Sequence, residues 1–197
     1  FFSQEATSEE KNVDKSLEAA AFAVGITTES FWQSTLYHID DLSFPVSQTP
    51  EVFTHFRKAV EKMAKIRPTW DSPKKINFPS EINSSQVGEL PSLNSYGLER
   101  PDREAKSWLE VEGGEHSGIG RLRSYFWEKD LLKVYKETRN GLIGMDYSSK
   151  FSPWLALGCI SPRSIYEEIR RYEKERKKNE STYWLIFELI WRDYFRF

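Results

Sequence analysis

The sequence of 197 residues contains a single cysteine, Cys159. One thiol excludes an internal disulfide and fits a reducing intracellular compartment; organelle, nucleus and bacterial cytoplasm are equally compatible. Long apolar runs are missing, so no membrane-spanning helix is expected. No signal peptide is visible. Excess charge of one sign is lacking: 28 Lys and Arg face 30 Asp and Glu, a formal net charge of −2. Without a global basic field, any contact with nucleic acid must come from a local patch. The three histidines, His38, His55 and His116, stand far apart, and no metal site is expected. No phosphate loop, G-x-G-x-x-G or G-x-S-x-G pattern occurs. There is no initiator Met. Phe1-Phe2 reads as the end of a buried strand, and Tyr194 to Phe197 continue a helical apolar pattern without a stop signal. Both ends are therefore read as cut.

Aromatic residues are plentiful: they make up 15% of the chain, with 7 Trp, and many crowd into the last third. Most such mass is core or interface. Thr7-Ser8-Glu9-Glu10 predicts a helix start, and Val13, Leu17, Ala20, Ala21 and Val24 recur at helical spacing up to a stop at Gly25. Phe31 to Ile39 reads as a strand closed by Asp40-Asp41. Thr49-Pro50-Glu51 predicts a second helix, with Val52, Phe53, Phe56, Val60 and Met63 as its buried stripe. This order is a remnant of an α/β layer, part of a doubly wound parallel sheet domain over residues 1–66. Residues 67–112, punctuated by Pro68, Pro73, Pro79, Pro91 and Pro101, read as a long inter-domain linker.

After Gly113-Gly114 the pattern turns all-helical, over 113–197. One helix carries Ile119, Leu122, Tyr125 and Phe126, and a second carries Leu131, Leu132 and Tyr135. Ser152-Pro153 and Ser161-Pro162 open a third, ended by Gly158, and a fourth, and Ser181-Thr182 cap a fifth. The charged run Arg170 to Lys178 reads as a solvated tail of the fourth.

Two places can carry chemistry. Tyr147-Ser148-Ser149-Lys150-Phe151-Ser152-Pro153 sets three hydroxyls and a Lys before a helix start, an anion site in composition. Ordinary capping by Ser152 in a polar turn explains the same residues. Tyr135 and Arg139, one turn apart, can close over such a site or be a packed aromatic and a surface cation. Farther on, Trp184, Glu188, Trp191 and Phe195 fall on one side of a helix. A carboxylate among aromatic faces can accept from a base N–H while an indole stacks on the ring. A core helix with Glu188 paired to Arg192 fits the spacing equally well.

Several segments together are more specific than any one: Ser34-Thr35-Leu36-Tyr37-His38-Ile39-Asp40-Asp41-Leu42, Val52-Phe53-Thr54-His55-Phe56-Arg57-Lys58, Gly113-Gly114-Glu115, Tyr135-Lys136-Glu137-Thr138-Arg139-Asn140, Lys150 to Arg163, and Glu188 to Phe195. Their order, over nearly the whole chain, resembles the photolyase/cryptochrome family, and within it the DASH kind. The resemblance implies an α/β domain, a long connection and part of an all-α FAD-binding helical domain. It implies FAD held at its phosphates by Tyr135, Ser148, Ser149, Lys150, Phe151 and Ser152, with Arg192 at the rim of the flavin cavity. Glu188 and Trp191 become catalytic residues of a pocket for a flipped pyrimidine dimer. Glu188, Trp191, Arg192, Tyr194 and Phe195 become the DNA-contact segment. Trp184 sits one position earlier than its counterpart in bacterial photolyases. The activity implied is blue-light-driven repair of cyclobutane dimers, with single-stranded or locally unpaired DNA preferred because flipping a base costs less there. A blue-light photoreceptor without repair activity is the alternative. A methenyltetrahydrofolate antenna and a monomeric state are further expectations. The flavin N5 partner and the electron-transfer tryptophans are expected beyond Phe197, so residues 1–197 alone are expected to bind FAD weakly or not at all and not to repair DNA.

Overall fold

Thr7 opens the first helix by a reciprocal cap. Its hydroxyl accepts from the Glu10 N–H at 3.4 Å, and the Glu10 carboxylate accepts from the Thr7 N–H at 3.2 Å. Helix α1 (Ser8–Ala23) then closes on Gly25, in the left-handed region at φ 75°. The Gly25 N–H reaches the Phe22 carbonyl and the Ile26 N–H the Ala21 carbonyl, which satisfies two helix-end acceptors. The helix crosses between β1 (Phe2–Ser3) and β2 (Ser30–Phe31), which pair in parallel with Phe2 opposite Ser30 and Ser3 opposite Phe31. None of its residues is buried; Val13 and Leu17 keep 65% and 45% of their surface. The computed structural model describes residues 1–4, 7–77, 88–99 and 111–197.

The strand expected over Phe31 to Ile39 is a correction: only Ser30–Phe31 pairs, and a short 3-10 turn occupies Ile39–Asp41. Side chains satisfy this backbone instead of a neighbouring strand. Asp193 accepts from the Leu36 and Tyr37 N–H groups at 2.9 and 2.8 Å. The Thr35 hydroxyl donates to the Tyr37 carbonyl at 2.5 Å and accepts from the Trp32 indole at 2.6 Å.

The second helix also starts later than expected. Thr49 turns its hydroxyl back to the Val46 carbonyl at 2.7 Å, and α2 (Phe53–Met63) begins with Val52 as an uncapped start. Phe53, Phe56 and Val60 are buried, whereas Val52 and Met63 at the ends are exposed. What selects the buried face is the last helix, α7 (Glu180–Arg196): the Phe53 ring stacks on Trp191 at 3.4 Å, and Phe56 meets Tyr194 at 5.3 Å.

The helical part comprises α3 (Glu115–Arg123), α4 (Tyr135–Thr138), α5 (Ser152–Ala156), α6 (Pro162–Glu175) and α7. A π-helical turn over Ser124–Glu128 follows α3 and drives Tyr125 and Phe126 into the core. Ser161 and Pro162 start α6 as expected, the serine hydroxyl accepting from the Arg163 N–H at 3.2 Å. Its charged tail is less solvated than the composition suggests. Tyr172 is fully buried and donates to Asp130 at 2.5 Å, and Glu173 accepts from the Thr182 hydroxyl at 2.7 Å. Asn179 occupies the cap of α7 and accepts from the Thr182 N–H at 3.0 Å, while the Thr182 hydroxyl accepts from the Asn179 N–H at 3.2 Å to close a capping box. Ser181 is diverted to α4, donating to Glu137 at 2.7 Å and accepting from the Lys136 N–H at 3.0 Å.

Gly118 sits where α3 passes under α5. A Cβ there would stand 2.6 Å from Ile160 Cγ2 and 3.1 Å from the Trp154 ring. Gly118→Ala is expected to cost about 1–3 kcal/mol through overpacking, read as a lowered urea midpoint with unchanged slope. An unchanged midpoint would show that the contact yields freely.

Residues 1–69 with 111–197 form one compact unit, and residues 70–110 a second. In the second, a 3-10 turn over Leu93–Tyr96 is capped by the Ser92 hydroxyl and ends on Gly97 at φ 69°. Of the linker read over 67–112, residues 78–87 and 100–110, with Pro79 and Pro101, lie outside the described residues. Among the described residues no helix is long and apolar enough to cross a membrane.

Candidate cofactor and nucleic-acid site

The serine turn between α4 and α5 is built by contacts from elsewhere in the chain. Arg121, at the end of α3, donates from Nε to the Ser149 carbonyl at 3.0 Å. One terminal nitrogen reaches the Met145 and Ser148 carbonyls at 2.8 and 2.9 Å, and the other reaches Asp146 at 3.2 Å. Lys129 meets the same Asp146 carboxylate at 2.6 Å. The Lys129 hydrogen bond, together with that from Arg121, holds the Asp146 carboxyl below the usual carboxylate range against the opposing effect of burial. Ser149 is buried, and Lys150 takes a left-handed φ of 58°, uncommon for a residue with a side chain. The Lys150 ammonium folds back over the Tyr147 ring, 3.6 Å from its centre, and donates to its hydroxyl. Ser152 is not the cap that the sequence suggests. It is the first helical residue of the five-residue α5, Phe151 occupies the cap position, and no side chain caps it. The Phe151 ring points into the core against Tyr125 and Phe126.

Tyr135 joins this turn to α7. The phenol is almost fully buried, and burial pushes its pKa well above the ordinary tyrosine value. The Glu188 charge pushes the same way, while the Arg139 charge and a hydrogen bond with Ser149 oppose it. Glu188 pairs with Arg139 at 2.6 Å, not with Arg192 as the helical spacing allows. Arg139 and Lys136 both lie over the Trp184 ring, at 5.2 and 4.9 Å. The Trp184 indole N–H is buried without a hydrogen-bond partner among the described residues.

On the next turns of α7, Trp191 lies between Phe53 and Phe195, with stacked rings 3.4 and 5.6 Å away, and Phe195 is 79% exposed. Arg192 is committed to backbone: it donates to the Ser34 carbonyl and, at 3.2 Å, to that of Leu155. Tyr194 packs on Phe53 and Phe56 and donates to the Glu51 carbonyl. The structure thus pairs Glu188 with Arg139 and sets Arg139 and Lys136, the latter next in the chain to the buried Tyr135, over Trp184. It leaves Phe195 exposed against a Trp191 covered on both faces, and turns Phe151, Arg192 and Tyr194 to packing or backbone. A separate groove of about 420 Å³ between α2 and α6, lined by Tyr37, Glu61, Lys65, Tyr166 and Arg170, contains none of these residues. No cluster of three or more potential metal ligands occurs among the described residues.

Sequence reasoning missed Arg121 and Asp193. No local pattern marks either, because their partners lie far along the chain: Asp193 serves N–H groups 157 and 156 residues away.

A family model described as DNA photolyase matches residues 1–75. Cryptochrome DASH of Gloeobacter violaceus is 52% identical over 193 residues, which is 98% of this chain and 38% of that relative. Cryptochrome DASH of Xenopus laevis is 51% identical over 196 residues, 98% of this chain and 37% of the relative. A solved cryptochrome from Synechocystis superposes with a TM-score of 0.89 at 47% identity, covering 100% of this chain and 40% of that one. A bacterial class III photolyase from Agrobacterium tumefaciens shares the fold at a TM-score of 0.76 and 21% identity, over 98% of this chain and 38% of that one. The chain therefore spans about two fifths of the length of these relatives.

Proposed function

The chain belongs to the photolyase/cryptochrome family, and from that premise we propose that it is part of an FAD-dependent, blue-light-driven enzyme that repairs cyclobutane pyrimidine dimers, preferentially in single-stranded DNA. The observation that carries this reading is the Arg139–Glu188 pair at 2.6 Å, one turn after the buried Tyr135, which ties the helix before the hydroxyl-rich turn to the acid of α7. It supports reading the turn and that acid as parts of one site.

The residues present suit the phosphate end of FAD. Ser148, Ser149, Lys150 and Ser152 supply hydroxyl and ammonium donors, Tyr135 a phenol, and Phe151 its backbone. The unpartnered Trp184 N–H is a buried donor of the kind a ligand satisfies. When bound, the flavin supplies light-driven one-electron chemistry. Glu188 orients a flipped dimer by accepting from its base N–H groups, Trp191 backs the exposed Phe195 ring, which offers the stacking face, and Tyr194 borders the entry. Arg192 holds the Ser34 and Leu155 backbone around this wall. With a net charge of −2, DNA contact rests on a local patch rather than on a global basic field.

The relatives are named cryptochromes, which favours a blue-light photoreceptor as the second reading. Repair of a dimer-containing oligonucleotide by the whole protein separates the two. Ser148→Ala with Ser149→Ala is expected to weaken FAD binding about 10–100-fold, the loss of one or two hydrogen bonds to a charged group. Unchanged FAD affinity in that variant removes the phosphate assignment.

A further inference from the structure

Arg121 makes more polar contacts than any role assigned above requires. Its guanidinium carries five N–H donors in a rigid fork. Nε and both terminal nitrogens are engaged, on the carbonyls of Met145, Ser148 and Ser149 and on the Asp146 carboxylate. The side chain is 9% exposed, so solvent screens these contacts little. Its other face lies over the Tyr125 ring, 5.1 Å from the centre.

We infer that Arg121 is the positioning residue of the anion-binding turn: it engages the carbonyl oxygens of Ser148 and Ser149, which would repel a phosphate, and so leaves hydroxyl and N–H groups as the turn's free polar face. This rests on the proposed FAD reading and adds a residue to it. Two features of the turn need such an anchor. Lys150 is held at φ 58°, a left-handed conformation unfavourable for a residue with a Cβ. Carbonyls converging in a partly buried turn also oppose one another unless a cation sits between them. A lysine cannot replace the fork, because one ammonium cannot reach separated acceptors in fixed directions.

The test uses the whole protein stripped of flavin, with FAD as probe and Kd measured in the dark below every variant's unfolding midpoint. Arg121→Gln is expected to weaken FAD binding about 10–100-fold, and Arg121→Lys to recover only part of the loss. Because Arg121 acts through the turn, adding Arg121→Gln to the Ser148→Ala, Ser149→Ala pair is expected to weaken binding by less than about threefold more. Arg176→Ala serves as the control: it removes a 3.1 Å pair with Asp130 and a 2.8 Å bond to the Trp127 carbonyl, away from the turn. Its Kd is expected to stay within about twofold of wild type. The inference is overturned if Arg121→Gln weakens FAD no more than Arg176→Ala does, or if its effect adds fully to that of the serine pair. Should Arg121→Gln fail to fold, Arg121→Lys and Asp146→Asn decide in the same way, each expected to weaken FAD several-fold. If the serine pair leaves FAD binding unchanged, the phosphate reading itself fails, a result distinct from failure of Arg121 alone.

Discussion

Asp193→Ala is expected to lower the unfolding free energy by about 2–5 kcal/mol at pH 5, because it strips two buried backbone N–H groups of their acceptor. Asp193 is fully buried on α7 and holds Leu36 and Tyr37 at 2.9 and 2.8 Å. It fastens the segment after β2 to the helical layer where no strand pairing does so. Burial pushes its carboxyl up to about 7, while the two N–H groups and the charges of Arg192 and Arg196 pull it down. In the unfolded chain it titrates near 3.9. A carboxyl whose folded value is raised binds more protons in the folded state across that window. Its contribution is therefore full below about pH 4 and is lost as pH rises toward 7, by up to ~4 kcal/mol. The cost of Asp193→Ala is accordingly largest at low pH and shrinks toward pH 8. Asp193→Asn keeps one acceptor and does not titrate, so its stability is expected to lack this slope. Urea unfolding at pH 5 and pH 8 reads both effects. An identical pH slope in wild type and Asp193→Asn would mean that this carboxyl stays ionised throughout.

Phe56→Ala is expected to cost about 3–5 kcal/mol, the range for emptying a large buried aromatic site. The ring has no exposed surface, and Phe44, Tyr194 and Phe197 stand 6.0, 5.3 and 5.9 Å away. Tyr194 lies on α7 and Phe197 is its C-cap, so the site cannot collapse without disturbing that helix. Met63, on the same helix but 63% exposed, provides the contrast: Met63→Ala is expected to stay within about 0.5 kcal/mol of wild type. Because Phe56 and Asp193 both tie the N-terminal segments to α7, the double variant is expected to lose less than the sum of the two. A Phe56→Ala loss below about 1 kcal/mol in urea unfolding would show that the α2–α7 junction carries little of the stability.

The same junction explains where sequence reading and structure part. The Thr7–Glu10 cap, the Gly25 stop and the Ser161–Pro162 start were legible because each is an exchange among residues within a few positions. The stripe Trp184, Glu188, Trp191 and Phe195 was legible because helix geometry alone puts these residues on one side. The strand over Phe31 to Ile39 was misread because its composition suits a strand, yet Asp193 captures its N–H groups. Thr49 and Ser152 look like caps, but the helix starts were set by where α7 and the Arg121-held turn fix the chain.

Amino-acid order by itself therefore determined the local helix caps, the helical stripes and the family motifs. Tertiary structure decided the pairings: Glu188 with Arg139 rather than Arg192, Arg192 with backbone, Asp193 with Leu36 and Tyr37, and Arg121 with the serine turn. The division has one physical cause. Caps and periodicity draw on energies settled within about one helical turn, whereas the partner of a buried charge is whichever donor or acceptor close packing brings to it, and that depends on every element at once.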